Sequence, residues 1–243
     1  MRKLIAALLA AAAVTGPTLA ADMPYYPPIV DVPDVNYGVQ GSFYLRGSVG
    51  LNALWAKEVN HPSVVPNVFA IDANGTGYSY GVGAGYETGT GLRFDLTVDR
   101  LHNDGLSATV GAGAVGVTPG VHKLSLRSTV VLANAYYDFG FGGGGYGAAG
   151  GAFGYVGAGA GMAFNDVITT GPAGAPADQH GYNSSLAAAG MIGVGYDFGS
   201  IVADIGYRAL YINKVENSTT VAPYSIANNW AHEVRGTLRY RFN

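Results

Sequence analysis

RGTLRYRFN, residues 235–243, decides the fold. Leu238, Tyr240 and Phe242 alternate with Arg235, Thr237, Arg239 and Arg241. A period of two belongs to a strand whose two faces meet different surroundings. The question is which face meets solvent. Only 12% of the residues are charged, against roughly 25% in an average soluble domain. So little charge does not cover a soluble surface of this size. The arginine face is therefore expected to point inward, and the aromatic face outward into lipid.

The same alternation runs through the chain from Gly41. Phe43, Leu45, Val49, Leu51, Ala53 and Trp55 oppose Tyr44, Arg46, Ser48 and Asn52. Tyr78, Tyr80, Val82, Ala84 and Tyr86 oppose Ser79, Gly81, Gly83 and Gly85. Leu92, Phe94, Leu96 and Val98 oppose Arg93, Asp95, Thr97 and Asp99. Leu124 and Leu126 alternate with Lys123, Ser125 and Arg127; this run continues to Phe139, its faces left open past Val130, where a bulge would reset them. Further runs cover 156–164, 186–197, 201–211 and 230–242. Together they predict eight strands of about ten residues, the length a tilted strand needs to cross a bilayer.

The connections alternate as well. Segments 56–76, 103–121, 165–181 and 214–229 are long and polar, whereas 87–91 and 198–200 are short. The glycine-rich 140–151 is a longer turn. The expected fold class is all-β: an eight-stranded antiparallel transmembrane β-barrel with short periplasmic turns and long extracellular loops. An even strand count puts the N- and C-termini in the periplasm. Aromatics at the strand ends, among them Trp55, Trp230, Tyr240 and Phe242, would form girdles at headgroup depth. A soluble sandwich or lipocalin-like barrel also alternates, but would carry more charge outside.

The N-terminus reads as a processing signal. Arg2 and Lys3 precede an apolar run, Leu4 to Val14, and Thr18-Leu19-Ala20 resembles a cleavage site. The expected organisation is a signal peptide over 1–20, a Pro-rich periplasmic segment over 21–40 and the barrel over 41–243. No other apolar run is long enough for a membrane helix.

ANAYYDFG (133–140), YVGAGAGMAF (155–164), GVGYDFG (193–199), ADIGYRAL (203–210) and the closing YRF resemble strand segments of the small OmpA-like outer-membrane barrels, especially the alphaproteobacterial porin-family proteins. The resemblance covers roughly 41–243. Asn243 follows the final aromatic, where that family ends on the aromatic itself, and no peptidoglycan-binding domain is expected after the barrel, so cell-wall tethering is not carried over from the family. The resemblance implies an integral protein of the Gram-negative outer membrane with a structural envelope role. It implies at most narrow solute permeability, with a small diffusion porin or a loop-mediated surface adhesin as alternatives. It also implies contact with outer-membrane lipid and lipopolysaccharide, and reading of Tyr240 and Phe242 by the outer-membrane assembly machinery. Oligomeric state is left open.

The inward face carries the candidate functional residues. Arg46, Arg93, Asp95, Asp138, Asp197, Asp204, Arg239 and Arg241 fall toward the periplasmic half, and Arg208, Glu233 and Arg235 share the face. Desolvating an unpaired charge costs several kcal/mol, so these are expected to pair across the lumen. An eight-stranded ring is just wide enough for side chains to fill. The inward glycines, Gly81, Gly83, Gly85, Gly157, Gly159, Gly161, Gly193 and Gly195, leave space that arginines or water would occupy.

No enzyme is expected. GYSYG (77–81) matches G-x-S-x-G without the helix a nucleophile elbow requires. GFGGGG (140–145) and GAGAVG (111–116) open no helix, and 38 glycines make chance matches common. The five histidines lack metal-ligand spacing, so no metal or cofactor is implied. With no cysteine, disulfides and thiolate chemistry are excluded. A net charge of −3 argues against nucleic acid as a partner.

Overall fold

The computed structural model describes residues 41–56, 58–60, 68–113, 117–141, 150–176, 178–217 and 224–242. The expected signal peptide, Pro-rich segment and Asn243 lie outside them. Ten strands follow in chain order: β1 (Ser42–Trp55), β2 (Glu58–Asn60), β3 (Val68–Ala73), β4 (Gly75–Glu87), β5 (Leu92–Val110), β6 (Gly120–Gly140), β7 (Gly151–Thr170), β8 (Gln179–Asp197), β9 (Ile201–Glu216) and β10 (Ser225–Phe242). All pairings are antiparallel. Eight of the strands form the ring β1-β4-β5-β6-β7-β8-β9-β10, closed by β1 on β10. Closure of the ring leaves no strand with an unpaired flank along its whole length, so the ladders satisfy the backbone of the closed part of the wall without water.

Register fixes the geometry of the ring. Starting at Ala53, paired residues run to His232, Ala209, Gly190, Ala158, Ala135, Phe94, Tyr86 and back to β1 at Phe43. The circuit returns ten residues away from its start. For eight strands that stagger demands a tilt of about 40°. The tight turns at Thr88–Gly91 and Phe198–Ser200, together with both ends of the described barrel, gather at one end, the turn end. Gly89, Gly91 and Gly199 supply the positive φ these turns need. The other end is the loop end.

The outward face is apolar over most of the wall. Phe43, Leu45, Val49, Leu51, Val82, Leu96, Ile205, Val234 and Leu238 are each more than half exposed. Trp55, Trp230, Tyr240 and Phe242 all point outward. Trp55 pairs directly with Trp230 near the loop end, and Tyr240 meets Phe242 edge-on at 5.2 Å at the turn end. No helix among the described residues is long and apolar enough to cross a membrane.

The strands run further than the sequence pattern predicts, from 13 to 21 residues in the ring. Much of the expected loops is wall. The 56–76 segment contains β2 and β3, which continue the wall between β10 and β5. β5 and β6 fill most of 103–121, and β7 through β10 reach into 165–181 and 214–229. Alternation persists there with its sign reversed. Leu124 and Leu126, read as members of the lipid face, are buried inside, while Lys123 faces out. Past the lipid the wall stands in water, so apolar residues turn inward and polar ones outward. β6 needs no bulge past Val130: its register with β7 is unbroken from Lys123 to Gly140. Only the chemistry of its two faces changes.

Candidate functional site

The lumen is the candidate site, and its lining changes chemistry along the axis. At the turn end lies an ionic tier. Arg93 donates two hydrogen bonds to Asp138, both at 3.0 Å, and its guanidinium lies 3.9 Å from the Tyr136 ring centroid. Arg46 reaches Asp95 at 2.8 Å and Tyr136 at 2.9 Å. Asp95 also accepts from Tyr44 at 2.9 Å and Asn134 at 2.7 Å. Arg239 bonds Glu87 and lies 3.7 Å from Asp138 and 3.8 Å from Asp204. Arg241 clamps Glu87 at 2.6 Å and also bonds Asp197. Tyr155 donates to Asp204 at 3.2 Å.

A second tier sits midway. Asp99 receives Arg208 at 2.6 Å and Arg235 at 2.6 Å. Arg208 also bonds Glu233, and Arg235 bonds Ser48. Three strands lie between β5 and β9 in either direction round the ring. The Asp99–Arg208 pair therefore spans the full width of the lumen. Two arginines and two carboxylates balance in this tier. Their side chains are almost wholly buried, where charges persist only when paired and hydrogen-bonded.

Above the second tier the interior is apolar. Leu101, Leu126, Val130, Leu132, Ala163, Val167, Leu210, Ile212 and Ala231 have no exposed surface. The few polar groups among them pair with each other or with backbone: Asn103 donates to Asn52 at 2.7 Å, Ser128 to Asn165 at 2.7 Å, and Asn229 to the Ile226 carbonyl at 2.9 Å.

All eleven charged side chains expected in the lumen point inward and join these two tiers. Arg208, Glu233 and Arg235 form the middle tier rather than the turn-end one. Asp99 and Glu87 complete the tiers and are not among the expected residues. Parity reveals both: Asp99 is four residues from Asp95 on one strand, and Glu87 continues the row Gly81, Gly83, Gly85. The inward glycines leave less room than the sequence suggests. A Cβ on Gly85 would strike Tyr44, one on Gly157 Tyr136, one on Gly193 Tyr155, and one on Gly195 Phe153. Aromatic rings cover these four glycines, while Asp99 stands over Gly81 and Asn134 over Gly159. Among the described residues no group of acidic and histidine side chains is arranged to hold a metal.

An eight-stranded ring with an apolar outer face and a polar inner one decides the comparison. The fold is that of the small outer-membrane barrels. The chain is similar in structure to Neisserial surface protein A, with 21% identity, a TM-score of 0.52, and coverage of 84% of this chain and 99% of that one. It also matches outer membrane protein OprG from Pseudomonas aeruginosa (12% identity, TM-score 0.44, covering 86% and 100%). A third match is the attachment invasion locus protein of Yersinia pestis (12% identity, TM-score 0.40, covering 82% and 99%). No protein-family model matches the chain, and no curated protein sequence does.

Proposed function

We propose that this chain is an integral protein of the Gram-negative outer membrane with a structural, non-enzymatic envelope role, closed to hydrated solutes. Its turn end, with both termini, faces the periplasm. Tyr240 and Phe242 serve as the signal read by the assembly machinery. The Asp99–Arg208 bridge carries the closed-lumen reading. An ion pair joining opposite walls at 2.6 Å supports a barrel blocked at its middle, and the apolar layer beyond it offers no partners to a dehydrating ion. This reading disfavours a diffusion porin.

Planar-bilayer conductance of the refolded barrel tests it. The parent protein is expected to be silent. Asp99→Ala combined with Arg208→Ala should remain silent too, because the apolar layer still seals the loop end. Stable openings of the parent that scale with salt would sink the closed reading and favour the diffusion porin.

A further inference from the structure

The outward face of β5 changes character at one residue. Leu92, Phe94, Leu96 and Val98 are exposed and apolar; Arg100, His102 and Asp104 follow at the same parity. Arg100 therefore marks where the wall leaves hydrocarbon for headgroups. Asp104 is bridged by Arg127 at 2.8 Å, and His102 stacks on Tyr78 with ring centroids 4.7 Å apart. Arg100 is different. Its guanidinium donates to the Thr129 hydroxyl at 2.7 Å, and among the described residues it makes no ion pair. An arginine at this depth retains strong donors for an anion, and guanidinium matches phosphate geometry well.

A groove of about 800 Å³ begins at this arginine. It runs obliquely over the outer wall past Tyr80 and Val82 to Gly47 and Gly236. Its lining is almost entirely apolar. The two glycines make its floor: a Cβ built on either would meet nothing within 4 Å. A cationic head joined to an apolar trough of this kind complements an amphiphile with an anionic headgroup.

We propose that this groove seats one phosphorylated glycolipid of the lipid A class, with a phosphate on Arg100 and an acyl chain along Gly47 and Gly236. The proposal rests on the outer-membrane reading, since that leaflet supplies such lipids. Arg100 fixes the headgroup, and the glycine floor gives the chain a recess that side chains fill elsewhere on the wall.

Native mass spectrometry of the refolded full chain in neutral detergent tests the seat. The probes are lipid A with its phosphates, lipid A stripped of them, and phosphatidylglycerol. Phosphorylated lipid A should be retained on the barrel more strongly than either other lipid. Arg100→Gln should weaken retention about tenfold, the loss of one charge-assisted hydrogen bond. Gly236→Leu and Gly47→Leu, which fill the recess, should each weaken it similarly, and Arg100→Lys should retain most of it. Equal retention of dephosphorylated lipid A or of phosphatidylglycerol overturns the proposal, as does Arg100→Gln binding within about twofold of the parent. Heat-dependent gel mobility is read on every sample. A barrel that keeps this mobility but ignores lipid A overturns the seat and leaves the membrane reading standing; a chain without it overturns both.

Discussion

Asp99 and Arg208 stand on opposite walls of the barrel and meet at 2.6 Å in its centre. Arg235 closes on the second oxygen of the same carboxylate. One acidic side chain thus holds two arginines from β9 and β10 against β5, and the ring is braced across its diameter. Asp99→Asn keeps the shape and removes the charge. It leaves Arg208 and Arg235 with Glu233 as their remaining carboxylate, so two buried cations share one anion. Removing a member of a buried network costs about 3–5 kcal/mol. The temperature at which the folded gel band converts to the unfolded one should fall clearly for Asp99→Asn. A double-mutant cycle with Arg208→Met should show strong coupling. An unchanged conversion temperature would mean that the bridge contributes nothing.

The apolar layer makes a separate prediction. Leu126 and Leu132 have no exposed surface, whereas Leu45 on the outer wall is 53% exposed. Leu126→Ala opens a cavity among close-packed neighbours and should cost about 2–5 kcal/mol. Leu45→Ala exchanges one lipid-facing side chain for another and leaves no internal void, so its cost should be well below that. Urea unfolding of both variants in the same lipid checks the order. A reversed order would mean that the interior near the loop end is not packed.

The glycine rows can be tested with a matched pair on one strand. On Gly193 a Cβ would run into the Ile205 carbonyl and the Tyr155 ring, while on Gly190 it would meet nothing within 4 Å. Gly193→Ala must displace Tyr155 from Asp204 and should cost about 1–3 kcal/mol. Gly190→Ala should be neutral or stabilising by about 0.4–1 kcal/mol, because it restricts the unfolded chain at no native cost. Equal effects in urea unfolding would show that the rings do not fill the glycine rows.

How far the sequence reveals this architecture depends on where the strand stands. Within lipid the outward residues are apolar, and period two with its girdles is plain at Phe43–Trp55 and at Trp230–Phe242. Beyond lipid the period survives but both faces change meaning. Ser107 and Lys123 then look like loop residues, and Leu124 and Leu126 look like lipid contacts. The ionic tiers were legible because the inward parity of Arg93, Arg208 and Arg239 is unambiguous. Their pairing was not, because alternation says nothing about which residues meet across a ring. That depends on the stagger, which shows only once every register is known. The filling of the glycine rows was hidden for a related reason: the side chains that cover them come from neighbouring strands.

The Asp104–Arg127 pair offers a contrast in pH dependence. Asp104 lies beyond the lipid-facing band and its side chain is 57% exposed. The hydrogen bond from Arg127 holds its carboxyl below the ordinary carboxylate value, against the opposing effect of burial. A carboxyl depressed in the folded state stabilises it above the unfolded value of about 3.9. That contribution is lost as pH falls through the lower folded value. Exposure and screening keep it small, within about 1 kcal/mol. Asp104→Asn should therefore lower stability slightly at neutral pH, and its difference from the parent should vanish in strong acid. Unfolding midpoints for both proteins across that range check this. A difference that persists unchanged below the carboxylate range would show that Asp104 acts through shape rather than charge.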